Sequence, residues 1–168
     1  MLRHRNLISG GRKNKMQAIL FICHGNICRS AAAEVIFSQL ARQAGLEQAL
    51  RADSAAATRE ELGNDIYPPM KRVLLARGYA CPPHAARQTT RADYAEYDRI
   101  IGMDDENMYD MRRIYGGDPE DKLSYLLDWA GCPDRSISDP WYTRDFGGAV
   151  EEIEEGCRGL LRALRPRG

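Results

Sequence analysis

Apolar positions recur along this chain in two rhythms. Ala18 to Ile22 (AILFI) is a short unbroken apolar run, the mark of a strand covered on both faces. A helical rhythm follows: Ala32, Val35, Ile36 and Leu40 share one face, and Gly45 supplies the stop. Ala49 to Ala56 is a weaker strand candidate, and Met70 to Gly78 predicts a helix ending on its glycine. Asp98 to Met103 repeats the buried-strand signal, DDENMYDMRRIY reads as helix, and a further strand is expected near Leu123 to Leu127. The last helix has the clearest stripe, from Val150 through Ile153, Cys157, Leu160 and Leu161 to Leu164. Glu151 and Glu152 stand early in it and Arg162 and Arg165 late, as a helix dipole prefers. Strand and helix in alternation predict an α/β fold: a parallel sheet with helices on both faces. Such sheets bind ligands beyond the carboxyl ends of their strands, where strand order switches, and Cys23 closes the first strand.

Length adds one domain, since 168 residues suffice for a single core. The composition, 43% hydrophobic and 29% charged, is that of a soluble globular protein without a bilayer-spanning run. Zero formal net charge argues against nucleic acid as a partner and leaves room for one compact anion site; no membrane partner is expected either. Five cysteines, an odd number in a chain without a visible secretory leader, favour free thiols in a reducing cytoplasm. None of their spacings suits zinc, so no metal is expected. Residues 1–15 are basic and contain no acid. They are expected to be a disordered extension or the product of a start set upstream of Met16, with the domain running over 16–168.

The chemistry concentrates in CHGNICRS, Cys23 to Ser30. Gly25 and Asn26 are the residue types that most readily take positive φ, and such turns aim successive backbone N–H groups inward as an anion nest. The following helix adds unpaired N–H groups and partial positive charge. Arg29 offers a planar fork that grips two phosphate oxygens. Ser30 can cap the helix and can donate to a neighbouring sulfur. All of these features favour the thiolate of Cys23, the form that acts as a nucleophile. A second Cys-x5-Arg match, Cys81 to Arg87, fails physically, because Pro82 and Pro83 remove two donors and no glycine is present. Neither G-x-x-x-x-G-K-[ST] nor G-x-G-x-x-G follows the strand, so nucleotide cofactors are not expected. A proton donor for a leaving group is not singled out by residue type, for Asp128, Asp134, Asp139 and Asp145 all lie in the same region.

CHGNICRS after an apolar strand resembles the low-molecular-weight protein tyrosine phosphatases. The resemblance continues through DSAAAT (Asp53 to Thr58), HAARQTT (His84 to Thr90), GMDDEN (Gly102 to Asn107) and SDPWYTRDF (Ser138 to Phe146), in that family's order, and the DPWYT form is similar to its bacterial branch. It implies a three-layer α/β/α fold with a four-stranded parallel sheet and a phosphate-binding loop after the first strand. It also implies hydrolysis of phosphotyrosine or other aryl phosphate monoesters without a cofactor. By the same resemblance Cys23 attacks phosphorus, Arg29 binds the equatorial oxygens, and Ser30 eases departure of the thiolate. Asn26 holds the loop through ties to Ser54 and His84, and Asp139 protonates the leaving phenolate and then activates water. His24, Gly25, Asn26, Ile27 and Cys28 would face the substrate from the loop, while Trp141 and Tyr142 would form a wall for its ring. His24, at a variable loop position, would add positive charge at mildly acidic pH if it points to the entrance. Ala31 stands where many members carry proline, a small loss at the first helical turn. Cys28 would form a reversible disulfide with Cys23 and so protect it from further oxidation.

Two other activities share this loop. An arsenate reductase needs relay cysteines after the third strand, and GMDDENMYDMRR has none. For an arginine phosphatase the resemblance implies threonine where this chain has Ile27, whose apolar side chain suits an aromatic ring better than a guanidinium.

Overall fold

A computed structural model describes residues 15–166, so the basic stretch 1–14 lies outside the described residues. The order of elements is β1 (Gln17–Cys23), α1 (Arg29–Gln43), β2 (Leu50–Ala56), α2 (Pro68–Ala76), α3 (Asp93–Glu96), β3 (Arg99–Gly102) and α4 (Asp105–Tyr115). There follow β4 (Leu123–Tyr125), a 3-10 turn over Leu126–Ala130, α5 (Pro140–Thr143) and α6 (Phe146–Leu164). The four strands form one sheet in the order β2-β1-β3-β4, with every pairing parallel. β1 is central: Phe21 is opposite Ser54 on one side and Ile101 on the other.

The unbroken apolar run of β1 is explained by two cores. Ile19, Phe21 and Cys23 point into the larger one, shared with Ala32, Ile36 and Phe37 of α1 and Val150, Ile153 and Leu160 of α6. Ala18, Leu20 and Ile22 point the other way, onto Met108, Met111 and Tyr115 of α4. Because β2 and β3 flank β1 on opposite sides, the chain leaves β1 one way and returns on the other. The resulting crevice opens at Cys23, the position expected for a ligand in such a sheet.

Several elements differ from their predicted extents, α2 and β4 among them. α2 begins at Pro68, two residues early, because proline is favourable in a first helical turn, and it ends at Ala76 before Gly78. β4 stops at Tyr125: the Asp128 carboxylate accepts the Tyr125 and Asp134 amides and turns Leu126 and Leu127 into the 3-10 segment. The short helices α3 and α5 carry too little periodicity to be read from pattern.

Candidate active site

Cys23 ends β1 and Arg29 begins α1, and the five residues between them form an open loop. Asn26 takes the left-handed conformation, φ 60°, which asparagine tolerates better than most residues. Gly25, contrary to expectation, does not; its value is space, since a Cβ there would lie 3.2 Å from Glu61 Cγ. Among the described residues no backbone carbonyl accepts from the amides of residues 24–28, so this ring of donors is left for an anion.

Cys23 is buried, and its Sγ lies 2.9 Å from Ser30 Oγ. Ser30 is not the helix cap, because α1 begins one residue earlier, at Arg29. Its hydroxyl belongs instead to a directed chain. Asn26 Nδ2 donates to Ser30 Oγ (3.0 Å) and to Ser54 Oγ (2.9 Å), and Ser54 donates onward to Glu34 Oε1 (3.0 Å). Asn26 Oδ1 accepts the Arg87 amide at 3.2 Å, which sets the orientation of the carboxamide. With Ser30 Oγ already accepting, its own proton is free for the sulfur. His84 supports the loop differently from the implied tie to the Asn26 side chain: its Nε2 meets the Asn26 backbone carbonyl at 2.6 Å. Glu34 was not singled out from sequence, although it follows Ser30 by four residues and so shares its helix face. Burial lifts its pKa, against the hydrogen bond from Ser54.

Arg29 is 2% exposed, which no lone charge tolerates. Its Nη1 donates to Asp104 Oδ2 at 2.7 Å and to the Ile137 carbonyl at 2.8 Å, while Nη2 lies 3.3 Å from Asp139 Oδ2. Burial alone would weaken its basicity, but Cys23, Asp104 and Asp139 outweigh that and hold it above its ordinary value. Asp104 went unassigned in the sequence. The available signal was its place just past β3, three residues before Asn107, whose amide it caps at 2.8 Å.

A cavity of about 160 Å³ sits over the loop. Cys23, Ile27, Cys28 and Arg29 form its floor, with Asp139, Trp141 and Tyr142 on one side. Glu60, Glu61 and Glu106 stand at its mouth, and both ring nitrogens of His24 face carboxylates there, Nε2 to Glu60 at 2.8 Å and Nδ1 to Glu106 at 3.5 Å. Burial, with charge at Cys23 and Asp139, pushes the Cys28 thiol well above its ordinary range, so it stays protonated. The structure also separates the four aspartates. Asp128 binds two backbone amides and Asp145 caps α6 through the Gly148 amide. Asp134 occupies a left-handed turn position at φ 60°. Asp139 accepts the Trp141 amide on Oδ1 and turns Oδ2 toward the cavity.

Comparison with known proteins points to one family. The family model described as low molecular weight phosphotyrosine protein phosphatase matches residues 18–167. The low molecular weight protein-tyrosine-phosphatase YfkJ of Bacillus subtilis is 36% identical over 151 residues, covering 89% of this chain and 97% of that one. The corresponding phosphatase of Gallus gallus is 33% identical over 153 residues, covering 88% and 95%. The crystal structure of YfkJ superposes with a TM-score of 0.86 over 90% of this chain and 96% of its own. The arginine phosphatase YwlE, at 22% identity and a TM-score of 0.80, shares the fold. Continuous coverage at this level of identity places the chain among the low-molecular-weight phosphotyrosine protein phosphatases.

Proposed function

We propose that this enzyme hydrolyses phosphotyrosine, in proteins or as other aryl phosphate monoesters, through a phosphocysteine formed on Cys23. The observation that carries the reading is the meeting of three groups in one small cavity. A sulfur lies 2.9 Å from a donor hydroxyl, a guanidinium is fixed along one edge, and a carboxyl lies 3.3 Å from that guanidinium. The phosphoryl group sits in the ring of loop amides with its equatorial oxygens on Arg29 Nη2 and those amides. Cys23 Sγ attacks phosphorus as the aryl oxygen leaves, and Asp139 gives that oxygen its proton. A phenol of pKa near 10 leaves poorly as its anion, and a placed acid supplies about 10²–10⁴-fold. In the second step Asp139, now a carboxylate, takes a proton from the water that attacks phosphorus. The S–P bond breaks, Ser30 donates to the departing thiolate, and phosphate is released. Ile27 and the rings of Trp141 and Tyr142 give the cavity apolar surface for the tyrosyl ring. When peroxide oxidises Cys23 to a sulfenic acid, the Cys28 thiolate displaces its hydroxyl to give a disulfide and water, a step that burial slows by favouring the Cys28 thiol. The absence of any described helix long and apolar enough to cross a membrane is compatible with a cytoplasmic enzyme.

The test is a steady-state comparison of phosphotyrosine, phosphoarginine and arsenate on purified protein, with vanadate as inhibitor. Phosphotyrosine is expected to be the preferred substrate. Cys23→Ser abolishes turnover, and Asp139→Asn lowers kcat by about 10²-fold or more while leaving vanadate binding. Turnover by the Cys23→Ser protein at the wild-type rate refutes the nucleophile, and preference for phosphoarginine refutes the substrate class.

A further inference from the structure

Asp139 stands on an element that cannot hold itself. α5 has four residues, Pro140–Thr143, far below the length at which a helix is stable alone, and Trp141 and Tyr142 are 47% and 82% exposed. Something outside α5 must fix the carboxyl over the loop. At the front of α5 the Trp141 ring packs on Tyr67, with centroids 4.9 Å apart and planes at 50°. At its end Arg144 takes φ 61°, a left-handed conformation costly for a residue with a Cβ. That turn lays its guanidinium over the Tyr67 ring at 5.7 Å and the Phe146 ring at 5.3 Å. Nη1 and Nη2 both donate to Tyr67 Oη at 3.4 Å. Tyr67 and Phe146 stack in turn at 5.9 Å.

Tyr67 also reaches the other wall of the cavity. Its backbone N–H donates to the Ile27 carbonyl of the anion loop at 2.8 Å. It precedes Pro68, which favours its extended conformation (φ −54°, ψ 128°), and its side chain makes no capping bond to α2. One residue therefore touches the loop that carries Cys23 through its main chain, and both ends of the segment that carries Asp139 through its ring.

We propose that Tyr67 is a positioning residue that sets Asp139 over the scissile oxygen, with Arg144 as its clasp. The proposal rests on the reading of Asp139 as proton donor. It predicts an effect on proton transfer and not on the attack by sulfur. A misplacement of 1 Å is enough to cost about 10²-fold where geometry matters. The loss falls on substrates whose leaving group needs the proton.

The readout is the ratio of kcat/KM for 4-nitrophenyl phosphate, an activated ester, to that for phenyl phosphate. Tyr67→Ala is expected to raise this ratio by about fivefold or more, within the span of a general acid. Arg144→Gly, which removes the clasp at an exposed and left-handed position, raises it in the same direction and decides the matter if Tyr67→Ala does not fold. Tyr67→Phe keeps the ring against Trp141 and brings the ratio back toward wild type. In an Asp139→Asn background neither change moves the ratio further. If the ratio stays at the wild-type value in Tyr67→Ala and Arg144→Gly while Asp139→Asn alone raises it, the positioning role is wrong and the proton donor stands. If Asp139→Asn itself leaves the ratio unchanged, the proton-donor assignment fails and the positioning role falls with it.

Discussion

Removing the Asp104 carboxylate tests how Arg29 is held. The guanidinium is 2% exposed and its partner carboxylate 21%, at a separation of 2.7 Å. Deleting one member of a buried pair leaves the other charge uncompensated, which typically costs about 3–5 kcal/mol. Here the cost sits at about the lower limit of that range, because Asp104 is partly wetted and because Ile137 O and Asp139 remain on the guanidinium. Asp104 also caps α4 through the Asn107 amide at 2.8 Å, and losing a cap adds about 1 kcal/mol. Asp104→Ala should therefore lower unfolding free energy by about 4 kcal/mol, a large share of the ~5–15 kcal/mol of an ordinary domain. Asp104→Asn keeps the cap and loses the charge, so it should lose about 1 kcal/mol less than the alanine variant. Urea unfolding followed by circular dichroism measures both, and vanadate affinity reports whether Arg29 still faces the loop. An alanine variant within about 0.5 kcal/mol of wild type, with unchanged vanadate affinity, would show that Asp104 does not hold Arg29.

Two further outcomes follow from the packing. Asp93 is buried and accepts from Thr89 Oγ1 (2.7 Å), the Thr90 amide (2.9 Å) and Arg87 Nη1 (3.0 Å). Its burial acts to raise its pKa, but the bonds from Arg87, Thr90 and Thr89 outweigh it and the carboxyl titrates below its ordinary range. A depressed folded pKa means stability that is complete above the unfolded value of about 3.9 and disappears as pH falls through the lower folded value. Wild type should then lose stability below about pH 4 more steeply than Asp93→Asn, and parallel stability–pH curves would contradict the assignment. Gly159 of α6 packs directly on the 3-10 turn, where an added Cβ would overlap the Trp129 carbonyl oxygen. Gly159→Ala should cost at least about 1–3 kcal/mol by overpacking despite alanine's better helix propensity, and a stabilised variant in a thermal melt would contradict that packing.

How much of this was legible beforehand depended on distance along the chain. The anion loop is contiguous: Cys23, Asn26, Arg29 and Ser30 fall within eight residues, and backbone rules for a strand, a turn and a helix start suffice to place them. The sheet was readable for a related reason, since burial on both faces writes an unbroken apolar run into β1. Residue type alone left Asp128, Asp134, Asp139 and Asp145 open; family resemblance chose Asp139, and the structure shows what the Asp128 and Asp145 carboxylates bind. The partners of Arg29 left no periodic trace at all. Asp104 and Ile137 lie 75 and 108 residues away in sequence, and they meet the guanidinium only because β3 and the segment before α5 end at the same edge of the sheet. Glu34 and Tyr67 were equally silent, for a helix-surface glutamate and a tyrosine before proline have ordinary local explanations. The amino-acid order by itself thus determined the fold class, the sulfur and the anion cradle, because those follow from neighbouring residues and local backbone preference. Only tertiary packing decided which distant carboxylates orient Arg29, which hydroxyl proton faces the sulfur, and what holds Asp139 over it, because those bonds join chain segments that become neighbours only once the sheet is assembled.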